Sequence, residues 1–481
     1  MEFLNLTSMQ GTERDICRIV ESLKLGGILV LPTETVYGLA VLLSRPNAVA
    51  RLSNFKGRKP GHAFSLAVPE YSWVRKILPQ ISPLAERFAR RCWPGPLTLV
   101  LDDSPLGITI PEAIRQLIAP NGTLGIRVPS HQVTCSILDA VGEPIVLTSA
   151  NISGSSPACT AHEATESLPA GVDIVVDGGP CEYSEASTVV RVRGWDYEIL
   201  REGVIKAPIL HQLASRMVIF ACTGNTCRSP MAEVICRALL ERHQTRVAET
   251  EQICNLAVYE ELEPFCPFPT TESVTNTEKK TVATETAKES ASTSTTDVDT
   301  QTGTAKASEN KLGVRAMELG QMPDSVLSTL NEESERPSSV TTKPTTNPTT
   351  PPPTKPSVLQ KFQPEMVEIL SAGIAAFDGD TASLHANQAR SLLGLSLEGH
   401  QSTQLDERLV RCADAIYVMS KGHRQAIISR WPKSASRVHL LDPDGQDIVD
   451  PYGMPLQTYQ DCAAQIQRAI ERRLPEFVDF E

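Results

Sequence analysis

The sequence has no apolar run long enough to cross a bilayer, no repeated C-x2-C motif and no excess of basic residues. The first of these absences argues against a membrane protein, and the start, MEFLNLTSMQGTERD, lacks the basic and apolar parts of a signal peptide. Twelve scattered cysteines in 481 residues do not form the disulfide framework of a small secreted domain. The formal net charge of -12 argues against a surface that coats nucleic acid. We expect a cytoplasmic protein of two domains with reduced thiols and no membrane partner.

Aromatic residues and cysteines are absent from residues 269–361, where Ser, Thr, Glu, Lys and Pro dominate. Such a segment cannot bury enough apolar surface to offset the chain entropy lost on folding. The sequence therefore predicts a disordered Ser/Thr/Pro-rich insertion over residues 245–360. A weakly helical tether is the alternative, because VRAMELGQMPDSVLSTL could form a transient helix.

The chain before this insertion alternates helical patterns with short apolar runs. A helix is predicted over residues 13–24, and strands are predicted at GGILVLP, SLAV, LTLVL, LGIRV, PIVLT and DIVV. Alternation of this kind is typical of an α/β domain, which we place at residues 12–206. A second α/β pattern opens at Met217 and indicates a second domain over residues 216–481, interrupted by the insertion.

The stretch MVIFACTGNTCRSPMAEVI, residues 217–235, predicts a buried strand, a short polar loop and a helix. Ser229 and Pro230 suit the N-cap and the first helical position. A loop between a strand and a helix directs backbone N–H groups and the positive end of the helix dipole at one point, which makes an anion site. Gly224 lets the backbone approach the anion, and Asn225 tolerates a left-handed conformation.

Cys222 lies at the base of this loop, where the helix dipole and Arg228 favour the nucleophilic thiolate. Arg228 offers a planar fork for two phosphoryl oxygens, and Ser229 can donate a hydrogen bond to the thiolate. A zinc clip, a structural disulfide or a plain core cysteine are the alternatives. Zinc needs two further ligands, and disulfides are rare in a reducing compartment. We also expect Cys227 to capture an oxidised Cys222 as a reversible disulfide.

The motif C-T-G-N-T-C-R-S-P-M-A-E resembles the phosphate loop of the low-molecular-weight protein tyrosine phosphatases. VEILSAGI, HQSTQLDERLVRCADAIYVMSKGH and DIVDPYG follow in that family's order. The resemblance implies a parallel sheet and a phosphoprotein phosphatase without a cofactor. It makes Cys222, Arg228 and Asp450 catalytic, with Asp450 as general acid and then general base. The other loop residues would surround the phosphoryl group: Thr223, Gly224, Asn225, Thr226, Cys227 and Ser229.

Thr226 bears on the substrate of this phosphatase. Tyrosine phosphatases of the family usually have a bulky aliphatic residue there, whereas the branch that acts on protein phosphoarginine has threonine. The acid loop has one aromatic residue, Tyr452, followed by Gly453 and Met454, where tyrosine-specific members often have two. Both features favour phosphoarginine, and phosphotyrosine is the alternative.

Basic residues are concentrated between Arg51 and Arg91, where nine Lys or Arg stand against two acidic residues. Such a segment suits a cleft for a polyanion such as ATP. For the part from Arg75 to Arg91, we favour a helix face exposed to solvent.

Seven motifs follow one another in the first region: PTETVYGLA, KGRKPGHAFSLAV, WPGPLTLVL, GTLGIRVP, LTSANISG, STVV and ILREG. Together they resemble the YrdC family, the threonylcarbamoyl-AMP synthases. The resemblance implies a twisted mixed-sheet α/β fold with a concave basic cleft. It also implies an enzyme that joins threonine, bicarbonate and ATP, with Mg²⁺, into threonylcarbamoyl-adenylate and pyrophosphate. Enzymes of tRNA modification would then be indirect partners, and a nucleotide- or RNA-binding module is the alternative.

The same resemblance assigns site residues by position. Its threonine contacts fall on Thr35, Arg127 and Ser187. Its ATP contacts fall on Lys56, Arg58, Thr123, Ser149, Asn151 and Arg201. Three further positions depart from the family's pattern: His62 stands where Asn is common, Ala67 where His is common, and Arg191 where Asp follows STVV.

Overall fold

The computed structural model describes residues 1–7, 12–57, 61–151, 156–168, 170–260, 359–360, 367–391 and 394–478. We call residues 1–215 the first region and residues 216–478 the second region. The described residues of both regions, up to residue 242 and from residue 359, belong to one compact unit. Within the described residues, no helix combines the length and apolarity needed to cross a membrane.

Helices and strands alternate through the first region, as its apolar periodicity predicts. They are β1 (Glu2–Asn5), α1 (Thr12–Lys24), β2 (Leu29–Leu31), β3 (Gly38–Leu42), α2 (Pro46–Phe55), β4 (Ser65–Ala67), α3 (Tyr71–Ile77), α4 (Pro83–Cys92), β5 (Leu97–Asp102), α5 (Glu112–Ile118), β6 (Thr123–Arg127), α6 (Gln132–Val141), β7 (Ile145–Ser149), α7 (Ala161–Ser167), β8 (Ile174–Asp177), β9 (Thr188–Arg193), β10 (Asp196–Arg201) and α8 (Ala207–Ala214).

The second region is also α/β, with the strand-loop-helix of the cysteine motif at its start. Its elements are β11 (Arg216–Cys222), α9 (Arg228–Glu260), β12 (Leu359–Gln360), β13 (Val367–Gly373), α10 (Leu384–Ser391), α11 (Glu407–Cys412), β14 (Ala415–Val418), α12 (Lys421–Arg430), a 3-10 helix (Pro432–Arg437), β15 (Val438–Leu440) and α13 (Leu456–Val478).

Two separate sheets organise these elements, which confirms the predicted fold class. The described strands of the first sheet lie in the order β1-β8-β2-β3-β7-β4-β6-β5-β9-β10-β12, with parallel and antiparallel pairs mixed. The second sheet has the order β13-β11-β14-β15, and all of its pairs are parallel. The strand β1, which precedes the predicted domain start at residue 12, pairs with β8 at the edge of the first sheet.

Apolar side chains cover both faces of each sheet, because successive residues of a strand point to opposite sides. In β2, Val30 packs into one core, while Leu29 and Leu31 pack into the other. In β11, Phe220 and Ile219 divide in the same way between two cores of the second sheet. Each sheet is therefore a buried central layer between helices.

The predicted insertion lies largely outside the described residues, but its two ends do not. Residues 245–260 belong to α9, so the predicted start at residue 245 is too early. The segment AETEQICNLAVYE contains several residues that favour helices, and the helix that opens at the cysteine motif continues through it. At the other end, Leu359 and Gln360 form a short antiparallel pair with β10.

The basic stretch contradicts the prediction of a solvent-exposed helix face. Arg87 and Arg91, in the last turns of α4, are 3% and 7% exposed. The prediction was wrong because these side chains face carbonyl oxygens and a carboxylate that come from distant parts of the chain. On α3, Arg75 does remain half exposed.

Candidate functional sites

A cavity of about 550 Å³ lies over one face of the first sheet. Its floor is a row of residues that the strand register brings side by side: Arg191 beside Val100, then Gly125, Ser65 and Leu147. A Cβ atom at Gly125 would lie 3.1 Å from the Ser65 hydroxyl, so glycine avoids a close contact at this point of the floor. The cavity is large enough for a small molecule, and more than half of its lining residues lie on strands.

All three residues assigned to threonine line this cavity: Thr35, Arg127 and Ser187. The Arg127 Nη1 donates to Thr35 Oγ1 at 3.0 Å, and its Nε donates to the Gly95 carbonyl at 3.1 Å. Ser187 Oγ lies 3.0 Å from Thr98 Oγ1. These contacts hold a guanidinium and two hydroxyls in fixed positions at one end of the cavity.

The residues assigned to ATP divide into those that line the cavity and those that support it. Thr123, Ser149, Asn151 and Arg201 line it. Lys56 lies behind them, where its Nζ donates to the carbonyls of Ser149 at 3.0 Å and Asn151 at 2.5 Å. Arg58 lies outside the described residues.

Two arginines of the cavity, Arg127 and Arg201, place positive charge near Ser187. The Arg201 Nη2 donates to the Ser187 carbonyl at 2.8 Å and to its hydroxyl at 3.2 Å. Burial and the nearby charge of Arg127 lower the pKa of Arg201. Among the described residues of the basic stretch, no Lys or Arg belongs to the lining, and His62 does; the described arginines of the lining are Arg127, Arg191 and Arg201.

A second site lies where β11 ends and α9 begins, at the carboxyl edge of the parallel sheet. Asn225 stands in the left-handed region, with φ of 54°, and is fully buried. Its amide accepts from the Thr403 backbone N–H at 2.8 Å and donates to Ser229 Oγ at 3.0 Å. His400 Nε2 lies 2.8 Å from the Asn225 carbonyl. The strained turn is therefore fixed on three sides, which keeps its backbone N–H groups in place.

The chemistry-bearing side chains converge on this turn. Cys222 Sγ lies 2.9 Å from Ser229 Oγ, and both residues are buried. Arg228 is 5% exposed, and its Nη2 donates to Asp450 Oδ2 at 2.6 Å. The Asp450 side chain is 55% exposed, so the carboxylate stands at the mouth of the loop. The helix begins at Arg228, and the Ser229 hydroxyl contacts Cys222, so the predicted N-cap role of Ser229 is wrong.

The remaining loop residues differ in exposure. Thr223 is exposed and Thr226 is half buried. A side chain at Gly224 would meet little besides the Thr226 hydroxyl, at 3.8 Å, so the space beside it is open. Cys227 is buried as a free thiol, with its Sγ 3.3 Å from Ser383 Oγ.

Comparisons with known proteins address both regions. The family model for Sua5, YciO and YrdC, described as telomere recombination, matches residues 21–203. A putative threonylcarbamoyl-AMP synthase of Mycobacterium tuberculosis is 32% identical over 192 residues, which are 40% of this chain and 85% of that protein. The chain belongs to the Sua5/YciO/YrdC family. The threonylcarbamoyl-AMP synthase of Pyrococcus abyssi is 32% identical over 43% of this chain, but the chain spans only 60% of that relative's length.

The second region matches a different family model, described as low molecular weight phosphotyrosine protein phosphatase, over residues 217–251 and 356–478. The solved structure of the YwlE arginine phosphatase from Geobacillus stearothermophilus covers 54% of this chain and 92% of its own, with 18% identity and a TM-score of 0.27. A likeness at that level says nothing about the substrate of the second region.

One charged residue in contact with the cavity residue Arg127 was not among the site residues assigned from the sequence. Glu34 is buried, and its Oε1 lies 2.7 Å from Arg127 Nη2. Burial raises the pKa of Glu34, but the charge of Arg127, its hydrogen bond and hydrogen bonds from the backbone together outweigh burial, so the net shift of the pKa is downward. The signal was present in the sequence, because Glu34 is the acidic residue within PTETVYGLA.

All three departures from the Sua5/YciO/YrdC pattern now have a position. His62 and Ala67 line the cavity, so the alanine leaves room where a larger side chain is common. Arg191 also lines it and pairs with Glu198 on β10 at 3.1 Å. The Arg191 Nε is buried without a hydrogen-bond partner. This cavity thus has an added cation beside Val100.

The phosphatase-like site also holds a histidine that the sequence motifs did not mark. His423, in the first turn of α12, has its Nε2 2.9 Å from Thr223 Oγ1. Burial, followed by the charge of Arg228, lowers the pKa of His423. A neutral imidazole therefore contacts the hydroxyl of Thr223, the residue that follows Cys222 in the chain. The surrounding sequence, YVMSKGH, indicates the start of a helix but gives no signal that His423 belongs to the site.

Proposed function

We propose that the first region makes threonylcarbamoyl-adenylate from threonine, bicarbonate and ATP, and that the product serves tRNA modification. The observation that carries the proposal is the single cavity, which gathers seven of the nine residues assigned by position. Family membership over residues 21–203 supports the reaction class. A module that only binds a nucleotide or RNA is the second candidate.

Arg127 lines the cavity, and its guanidinium can bind the threonine carboxylate. The buried carboxylate of Glu34 contacts this guanidinium and fixes its orientation. The threonine ammonium group loses a proton to solvent, and the free amine then condenses with bicarbonate to give a carbamate and water. A carbamate oxygen then attacks the α-phosphorus of ATP, and the bond to the departing pyrophosphate breaks. Catalysis in such a cavity rests on positioning and charge stabilisation.

Magnesium would arrive with the triphosphate. Among the described residues, no group of three or more His, Cys, Asp or Glu side chains is arranged to hold a metal ion. The residues described in the cavity thus offer cations and hydroxyls to the phosphates and no carboxylate cage for a metal.

Pyrophosphate release tests this assignment on the intact chain. With ATP, we expect release that requires both threonine and bicarbonate, together with an adenylate of the expected mass. Serine and alanine in place of threonine are the matched controls for the hydroxyl and methyl groups. ATP binding without any pyrophosphate release would favour the binding module.

For the second region, we propose a cysteine-dependent phosphoprotein phosphatase. The observation that carries it is the convergence of Cys222, Ser229 and Arg228 on one buried turn, with Asp450 on the arginine. The Cys222 sulfur attacks phosphorus, and the bond to the leaving group breaks as Asp450 protonates that group. Water then attacks the phosphocysteine while Asp450 accepts its proton, which releases inorganic phosphate and the thiolate. Substrate oxygens would take the place of Asp450 on the Arg228 fork.

We further propose protein phosphoarginine as the substrate, with phosphotyrosine as the alternative. The half-buried Thr226 is a small polar neighbour for a guanidinium leaving group, and Tyr452, 76% exposed, is the aromatic residue of the acid loop. Breaking the P–N bond of phosphoarginine needs protonation of the departing nitrogen, a step that Asp450 can supply.

Replacing Thr226 with isoleucine should shift the substrate preference from phosphoarginine to phosphotyrosine. An apolar branched side chain favours an aromatic leaving group, so kcat/KM for a phosphoarginine protein should fall by roughly tenfold while that for a phosphotyrosine peptide rises. Thr226→Ser is the control and should keep the wild-type preference. A wild-type enzyme that already prefers phosphotyrosine would exclude the arginine assignment.

A further inference from the structure

Three arginines of α4 form a single buried surface of the first region. Arg90 and Arg91 follow Arg87 by three and four residues, so both lie on the same side of the helix as Arg87. Their side chains are 4%, 22% and 2% exposed. The helix itself packs on β5 and α8 of the first region. Buried arginines require partners, because an unpaired charge away from water is strongly unfavourable.

The partner carboxylate belongs to the second region. Asp414, just before β14, accepts from Arg87 Nε at 3.0 Å, from Arg90 Nη2 at 2.6 Å and from Arg91 Nη2 at 2.9 Å. It also accepts from the Met217 backbone N–H at 2.9 Å, at the start of β11. Burial raises the pKa of Asp414, but the three arginines outweigh it and lower the pKa well below its usual range.

Backbone carbonyls accept from further guanidinium nitrogens. They stand at the ends of two helices, where carbonyls have no partner within the helix and carry partial negative charge. From the end of α8, Leu213, Ala214 and Ser215 accept at 2.7, 2.6 and 2.8 Å. From the end of α11, Arg411 accepts at 2.7 Å and Cys412 at 2.9 and 3.1 Å. Three positive charges are thus balanced by one carboxylate and two helix ends.

We propose that this arginine surface on α4 has the second region of the same chain as its partner, and that the contact makes both regions one cooperative folding unit. Two proteins that are merely linked would share few buried charges, whereas here removal of either side leaves buried ions unpaired. The elements that carry the contact continue towards both candidate sites. α4 leads to Gly95, whose carbonyl accepts from Arg127, and β11 leads from Met217 to Cys222.

Hydrogen–deuterium exchange of the intact chain in a urea series tests the proposal. Peptides that contain β5 report on the first region, and peptides that contain β14 report on the second. In the wild type, we expect the two midpoints to coincide. In Asp414→Asn, which removes the charge and keeps the size, we expect two separate midpoints.

Asp444→Asn is the matched control, because Asp444 pairs with Arg472 at the surface, with side chains 64% and 52% exposed. It should keep coincident midpoints. If Asp414→Asn yields no folded protein, Arg90→Gln, at the least buried arginine of the three, is expected to separate the midpoints. Separate midpoints in the wild type, or coincident midpoints in the folded Asp414 or Arg90 variant, would overturn the proposal. None of these outcomes depends on either catalytic assignment.

Discussion

Replacing Cys222 with serine is expected to reduce phosphatase turnover by at least about a thousandfold, because a serine hydroxyl is not ionised at neutral pH and cannot attack phosphorus as the thiolate does. The change removes one sulfur at the end of β11 and leaves the loop's hydrogen bonds through Asn225 in place. Hydrolysis of p-nitrophenyl phosphate, which needs no protein substrate, measures the loss.

The control for this variant is Cys17→Ser, an exposed cysteine on α1. It should leave turnover unchanged. Threonine-dependent pyrophosphate release by Cys222→Ser should also stay at the wild-type level, because its cavity lies over the other sheet. Phosphatase activity within tenfold of the wild type in Cys222→Ser would exclude a cysteine nucleophile.

Arg127→Gln is expected to lower kcat/KM for threonine in pyrophosphate release by roughly a hundredfold, since a charged hydrogen bond to a carboxylate contributes about 1.5–3 kcal/mol. The guanidinium is 7% exposed and contacts Thr35, Gly95 and Glu34, so glutamine cannot reproduce its position. The loss should appear mainly in KM for threonine, with KM for ATP less affected.

Arg193→Gln, at the exposed end of β9, is the control for lost charge and should keep wild-type kinetics. The double variant Arg127→Gln, Glu34→Gln tests folding separately. It removes the buried carboxylate that the single variant leaves unpaired, so its melting temperature should recover while threonine use stays low. An unchanged KM for threonine in Arg127→Gln would contradict the assignment.

Both candidate sites were largely predictable because their residues sit in short motifs. The turn from Cys222 to Arg228 is local, so strand, loop and helix could be predicted from one stretch. Asn225 adopts the predicted left-handed conformation. In the first region, Thr35, Arg127 and Ser187 come from three distant motifs, and only the family's pattern suggested that they meet. Strand order then brings them to one cavity, which no periodicity in the sequence specifies.

The sequence by itself determined the alternation of strands and helices, the position of the strand-loop-helix turn at Cys222 and the family that each region resembles, because these depend on local apolar patterns and short motifs. Only the tertiary structure decided which charges are buried together. Arg87 and Asp414 stand 327 positions apart, and Glu34 meets Arg127 across the first sheet. Charges spaced along a helix look the same in the sequence whether they face water or a distant carboxylate. The difference depends on which surfaces meet when the sheets assemble.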